Sequence, residues 1–163
     1  MSTMNEAVIE QATMEDLPQM VDLLYELFGQ EGDFVPDRMK QERGLRLILE
    51  QPSRGRIFVY RWNDAIVGMV NLLFTISTAE GGFVVLLEDV IVRVDYRGRG
   101  VGKQLLAHAI EYAKQKEFLR ITLLTDRINE QGHAFFEKMG FFKSKMIPLR
   151  LPLTKDAATL PKS

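Results

Sequence analysis

The sequence predicts an α+β fold built on a mixed sheet. Three observations carry that prediction. Helical spacing of apolar residues in the first fifty positions gives way to β-rich runs from Arg56 to Val94. One of those runs, FVVLLEDVIV, is apolar almost throughout and reads as a central strand. The resulting order, β-α-α-β-β-β-α-β-α-β, lacks the regular alternation of a parallel α/β sheet.

Val8 to Ala12 reads as the first strand. Thr13 is a candidate N-cap, because Thr13-Met14-Glu15-Asp16 puts carboxylates into the first helical turn. Leu17, Met20, Val21, Leu24, Leu27 and Phe28 then recur at helical spacing. The loop GQEGDFV, Gly29 to Val35, follows. Pro36 suits a first helical position, and Met39, Leu45, Ile48 and Leu49 predict a second helix ending near Pro52. Arg56–Trp62 and Ala65–Phe74 read as a hairpin turned at Asn63-Asp64. Glu80-Gly81-Gly82 marks a turn before the long strand Phe83–Val94. Gly102, Leu105, Leu106, Ala109, Ile110 and Ala113 give the buried stripe of a helix. A strand over Leu119–Thr125, a helix over Glu130–Met139 with Gly140 past its end, and a last strand over Phe141–Leu151 complete the order. The polar tail from Thr154 is expected to be loose.

The chain has 163 residues, which predicts a single domain over 1–163. A net charge of −1 argues against nucleic acid as a partner. The absence of cysteine excludes disulfides, cysteine-ligated zinc and a thiol nucleophile. With His108 and His133 as the only histidines, no metal is expected. No apolar run approaches the roughly 20 residues of a membrane span. MSTMNEAVIEQA has no basic segment followed by an apolar one, so a cytoplasmic location is expected.

RVDYRGRGVGKQLL, Arg93 to Leu106, is the chemically informative segment. It fails the Walker pattern, because Gln104 follows Gly102-Lys103 and Arg97 stands where a glycine is needed. It fails the dinucleotide fingerprint, because Gly98, Gly100 and Gly102 read GxGxG. A strand, a glycine-rich turn and a helix start still make an anion site. Arg93, Arg97, Arg99 and Lys103 face only Asp95 within it. In the preceding strand Glu88 and Asp89 interrupt an apolar run. Either they are structural acids with partners, or one of them lines a cleft and accepts protons.

LEDVIVRVDYRGRGVGKQLL resembles motif A of the Gcn5-related N-acetyltransferase (GNAT) superfamily, with Arg97, Gly100 and Gly102 at its signature positions. NEQGHAFFEKMGF, Asn129 to Phe141, resembles motif B. The resemblance runs from about Val8 to Leu151. It implies a three-layer fold with a mixed, mostly antiparallel sheet flanked by about four helices. It also implies an enzyme transferring acetyl from acetyl-CoA to an amine acceptor, a small molecule or a protein amine. Gly98, Arg99, Val101 and Lys103 would join Arg97, Gly100 and Gly102 around the coenzyme pyrophosphate. Val90, Ile91 and Val92 would lie along the pantetheine at a strand bulge. Glu88, with Asp89 close behind, would be the base.

Asn129 reads either as a helix N-cap or, by the resemblance, as a pantetheine ligand. Phe136 stands where many relatives carry a tyrosine that protonates the departing thiolate. His133, three residues earlier on the same helix face, is one substitute acid. An unprotonated leaving thiolate and loss of catalysis are the other accounts. Glu31, Asp33 and Phe34 fall in the region that helps form the acceptor site in the family. A catalytically silent acyl-CoA-binding sensor is the second reading, and a nucleotide-binding regulator a distant third. MIPLRLPL near the end suits core packing or a homodimer interface equally.

Overall fold

A computed structural model of the chain describes residues 6–30 and 37–154, without the side chains of residues 28–30. Glu31, Asp33, Phe34, Pro36 and the tail from residue 155 lie outside the described residues.

Among the described residues five strands, β1 (Ala7–Gln11), β2 (Gly55–Trp62), β3 (Ala65–Ser77), β4 (Gly82–Val92) and β5 (Ile121–Leu123), form one sheet in sequence order. The first three pairings are antiparallel and the last, β4 with β5, is parallel. Helices α1 (Leu17–Gln30) and α2 (Arg38–Leu49) cover one face, and α3 (Val101–Gln115) and α4 (Glu130–Lys138) the other. The arrangement is the expected three-layer α+β fold.

Each layer is set by local chemistry. The Thr13 N–H donates to Asp16 Oδ2 at 2.9 Å, fixing the turn that opens α1. Asp37 caps the start of α2: its Oδ1 accepts the N–H groups of Met39 and Lys40 at 3.1 and 3.2 Å. Met20 and Leu45 bury the α1–α2 face against Ile57, Met69 and Ile91. Leu105, Leu106 and Ala109 of α3 are 0% exposed against the other face. Burying each leucine stabilises by about 1.5–3 kcal/mol. The helix sits close to the sheet at Gly68, where an added Cβ would meet Leu105 Cδ1 at 2.9 Å. Asn63 supplies the left-handed turn residue of the β2–β3 hairpin, at φ 55°.

The long strand is not wholly buried, contrary to its apolar composition. Asn71 pairs with Asp89 and Leu72 with Leu87, so Glu88 has no opposite number and forms a β-bulge. The extra residue exposes Glu88 and resets the alternation, so Leu87 and Val90 share the α3 face while Ile91 turns to the α1–α2 face.

The last expected strand does not form. Among the described residues, 141–154 pair with no strand. Backbone N–H groups two apart point to the same edge of a strand, and Pro148 and Pro152 each remove one. Phe142, Met146, Ile147, Leu149, Leu151 and Leu153 are instead 65–90% exposed.

Candidate active site

The site begins where β4 leaves β5. Their parallel pairing covers Val85–Ile121, Leu86–Thr122 and Leu87–Leu123, and ends at the bulge. Among the described residues, the outer edge of β4 from Glu88 to Val92 faces no paired strand. Its outward backbone donors and acceptors therefore have no ladder partner there. Val90 and Val92 turn their backbone groups to that edge. The Arg93 N–H bonds the Val67 carbonyl of β3 at 2.8 Å, so Ile91, two residues earlier, turns its own towards β3 and is 3% exposed in the core.

The chain then turns through Arg93 to Gly100 into α3. Gly98 and Gly100 sit at φ 77° and 82°, a region L side chains avoid, which explains both glycines. The first helical bond runs from the Gln104 N–H to the Gly100 carbonyl at 3.0 Å. The N–H groups of Val101, Gly102 and Lys103 precede that bond and point out of the helix end. A Cβ on Gly102 would stand 3.5 Å from Val92 Cγ2 and 3.9 Å from Phe135 Cζ. The helix start is thus lodged between the end of β4 and α4.

The cations of this segment differ in role. Arg93 makes two hydrogen bonds to Asp95, at 2.7 and 2.9 Å. They hold the Asp95 carboxyl below its ordinary pKa and raise that of Arg93. Arg97 turns its Nε to the Val92 carbonyl at 3.2 Å, tying the loop to the end of β4. The Arg99 guanidinium lies 4.9 Å from the centre of the Tyr96 ring. Arg99 and Lys103 are exposed beside the helix start.

On α4, Asn129 caps the helix through Oδ1, which accepts the Gly132 N–H at 3.0 Å. His133 Nε2 lies 2.8 Å from the Asp126 carbonyl. With the proton on Nε2, the ring donates to that oxygen and is anchored to the loop before the helix. Phe136 has a structural task that its sequence context does not announce. The N–H of Gly140 bonds the Glu137 carbonyl, and that of Phe141 bonds the Phe136 carbonyl, at 3.0 and 3.1 Å. This is a Schellman motif, with Gly140 at φ 103°. The Phe136 and Phe141 rings close it, 5.9 Å apart.

The structure therefore gathers Glu88, Val90 to Val92, and Arg97 to Lys103 around one sheet edge and one helix start. It leaves Asp89 half-buried on β4. It adds Glu26, whose Oε1 accepts the Val94 N–H at 3.0 Å and ties α1 to the loop. No local pattern in the sequence marks that contact across 68 positions. A separate cleft of about 540 Å³, lined by Arg56, Phe74, Tyr112 and Phe118, lies by the far end of α3. Among the described residues no cluster of three or more metal-ligating side chains occurs, and no helix is long and apolar enough to cross a membrane.

Comparison with known proteins turns this arrangement into an identification. The profile of the Acetyltransferase (GNAT) family matches residues 17–141. The chain belongs to the GNAT family. An uncharacterised N-acetyltransferase of Methanocaldococcus jannaschii is 26% identical over 148 residues, covering 90% of this chain and 66% of that protein. The aminoalkylphosphonate N-acetyltransferase of Salmonella typhimurium is 27% identical over 136 residues, covering 83% of this chain and 85% of its own. The matches cover 57% of the glucosamine 6-phosphate N-acetyltransferase of Trypanosoma brucei brucei and 32% of streptothricin acetyltransferase A of Bacillus subtilis. The chain thus spans less than two thirds of several curated GNAT relatives. Among solved structures, a possible acetyltransferase from Clostridium difficile 630 shares the fold with a TM-score of 0.83 at 18% identity. That likeness covers 91% of this chain and 98% of that one.

Proposed function

We propose that the protein is an N-acetyltransferase that moves the acetyl group of acetyl-CoA to a primary amine by direct attack in a ternary complex. The observation that carries the reading is the parting of β4 from β5 at Glu88, beside a glycine-rich turn into α3. The N–H groups of residues 98–103, with Arg97, Arg99 and Lys103, suit a pyrophosphate. The open edge at Val90 and Val92, with Ile91 between them, suits the amide-bearing pantetheine arm, with the Asn129 Nδ2 as a further donor.

In this reading Glu88 takes a proton from the acceptor ammonium, directly or through water. The neutral nitrogen attacks the thioester carbon, the C–S bond breaks, coenzyme A leaves as thiolate, and the nitrogen sheds its remaining extra proton to water or to the departing sulfur as the amide forms. Phe136 has no proton to give that sulfur. His133 is the nearest candidate acid on that helix face; otherwise the thiolate leaves unprotonated. Glu31, Asp33 and Phe34 are proposed to contribute to the acceptor site. Relatives named for aminoalkylphosphonate and glucosamine 6-phosphate acetylation support a small amine as the acceptor class.

Phe136 also favours a second reading, a silent acyl-CoA-binding sensor. Two measurements decide. Acetyl-CoA, but not ATP, is expected to raise the melting temperature, since a ligand at 100 times its Kd stabilises by about 2.7 kcal/mol. A panel of small primary amines is then expected to release free thiol from acetyl-CoA. Stabilisation without thiol release would leave the sensor; no stabilisation by acetyl-CoA would remove both readings.

The exposed strip from Phe142 to Leu153 is proposed to pack against the same strip of a second copy. Its six large side chains offer on the order of 800 Å², what each partner brings to a standard interface, and a two-fold axis lets one patch cover itself. Light scattering is expected to give the mass of a dimer, and Leu149→Glu with Leu151→Glu that of a monomer. A monomeric wild type would refute the interface.

A further inference from the structure

Asn71 is a polar residue where the fold calls for an apolar one. It lies mid-strand in β3, 5% exposed, between Val70 and Leu72, both 0% exposed. Its register partners are Ile57 on β2, in the core beneath α1 and α2, and Asp89 on β4. Its Oδ1 is buried without a hydrogen-bond partner. Leaving a buried carbonyl oxygen unpaired costs free energy that valine or leucine, better strand formers, would avoid. A donor that enters from outside would satisfy this acceptor.

The bulge at Glu88 shows where that donor would enter. Without the extra residue Asp89 would share a face with Leu87, towards α3. With it, Asp89 lies directly across the ladder from Asn71, on the α1–α2 face shared with Ile91. Side chains so opposed have Cβ atoms about 4.5–5.5 Å apart, close enough to hold one small group together. Asp89 is half-buried and Asn71 5% exposed, so Asp89 is the more open member of the pair. The Asn71 oxygen presents an unpaired acceptor beside the Asp89 carboxylate, in a surround of Ile57, Met69 and Ile91. The complementary group is small and carries N–H donors, of which an ammonium offers three.

We infer that Asn71 and Asp89 form the subsite for the acceptor's ammonium group, with Asn71 Oδ1 accepting one of its N–H bonds. The inference rests on the acetyltransferase reading and specifies its substrate class: an amine that binds as the cation, before Glu88 removes its proton. Asn71 then acts by positioning the nitrogen, not by exchanging protons. Neutral acylation targets such as alcohols gain less from the site, because their single O–H cannot serve both Asn71 and Glu88 and carries no charge.

The test is Asn71→Val, with Asn71→Ser restoring an oxygen acceptor, assayed with the best acceptor from the amine panel. Asn71→Val is expected to raise KM for the amine about 10- to 100-fold, the value of one hydrogen bond to a charged group. KM for acetyl-CoA should not change, and the melting temperature should hold or rise as the unpaired oxygen is removed. Asn71→Ser is expected to recover part of the amine affinity. An unchanged amine KM in a folded Asn71→Val protein overturns the subsite and leaves the transferase reading intact. An absence of thiol release from the wild type with every amine overturns both. A KM rise with a matching fall in melting temperature and no rescue by serine identifies a structural role and also overturns the subsite.

Discussion

Replacing Glu88 by glutamine is expected to lower kcat/KM by about 10²- to 10⁴-fold, the span that a positioned general base contributes. The loss should be deepest at low pH and shrink as the pH rises. An amine attacks a thioester only as the neutral base, and at low pH almost every acceptor in solution is an ammonium. The carboxylate is most needed there, whereas near the amine's own pKa solvent supplies neutral nucleophile. The variant is expected to fold and bind acetyl-CoA as the wild type does. Glu88 is exposed at the bulge, and the coenzyme contacts proposed for the β4 edge are backbone groups. Rates matching the wild type across the pH range would remove Glu88 from the mechanism.

That prediction depends on a feature the sequence does not display. The spacing of Arg97, Gly100 and Gly102 is local, as is the apolar stripe of α3, so the glycine loop and its helix were legible in order and nearly in boundary. The bulge is a statement about β4 relative to β3, twelve or more positions away, and composition carries no trace of it. Hence FVVLLEDVIV reads as uniformly buried, although one of its acids is exposed and the other faces the opposite helical layer. Phe136 was legible as a missing hydroxyl; its ring contact with Phe141 follows only from the bonds that close α4. The strand expected over Phe141–Leu151 has the right apolar content, but a strand also requires a partner edge and donors, and two prolines remove part of the latter. Asn71 stood in a run of strand formers, where one amide in the letters does not signal an unpaired oxygen in the fold.

Arg61→Leu is expected to cost about 3–5 kcal/mol of folding stability, the penalty for removing one partner of a buried ion pair. Arg61 Nη1 and Nη2 reach Asp16 Oδ1 and Oδ2 at 3.0 and 3.1 Å, and its Nε reaches Glu10 Oε1 at 2.7 Å. Asp16 is 5% exposed, so without Arg61 its charge keeps the Thr13 N–H at 2.9 Å and the Thr13 hydroxyl at 3.5 Å, with no cation bonded to it among the described residues. The pH dependence gives the assignment its sign. Burial raises the Asp16 pKa, but hydrogen bonds from Arg61 and Thr13 outweigh it and hold the carboxyl below its ordinary value. In the wild type the pair therefore contributes fully above the unfolded carboxyl pKa of about 3.9, and its contribution is lost as the pH falls through the lower folded value. In Arg61→Leu, burial dominates and the folded pKa rises above the unfolded one. Protonation then relieves the buried charge, so acidification from pH 7 towards 4 should narrow the gap between variant and wild type. Asp16→Leu combined with Arg61→Leu should recover much of the loss, because no uncompensated charge remains. Urea titrations at pH 7 and pH 4 provide the measurement. A gap that stays constant with pH, or a double variant no better than Arg61→Leu alone, would show that Arg61 stabilises the sheet edge by packing and not by holding Asp16.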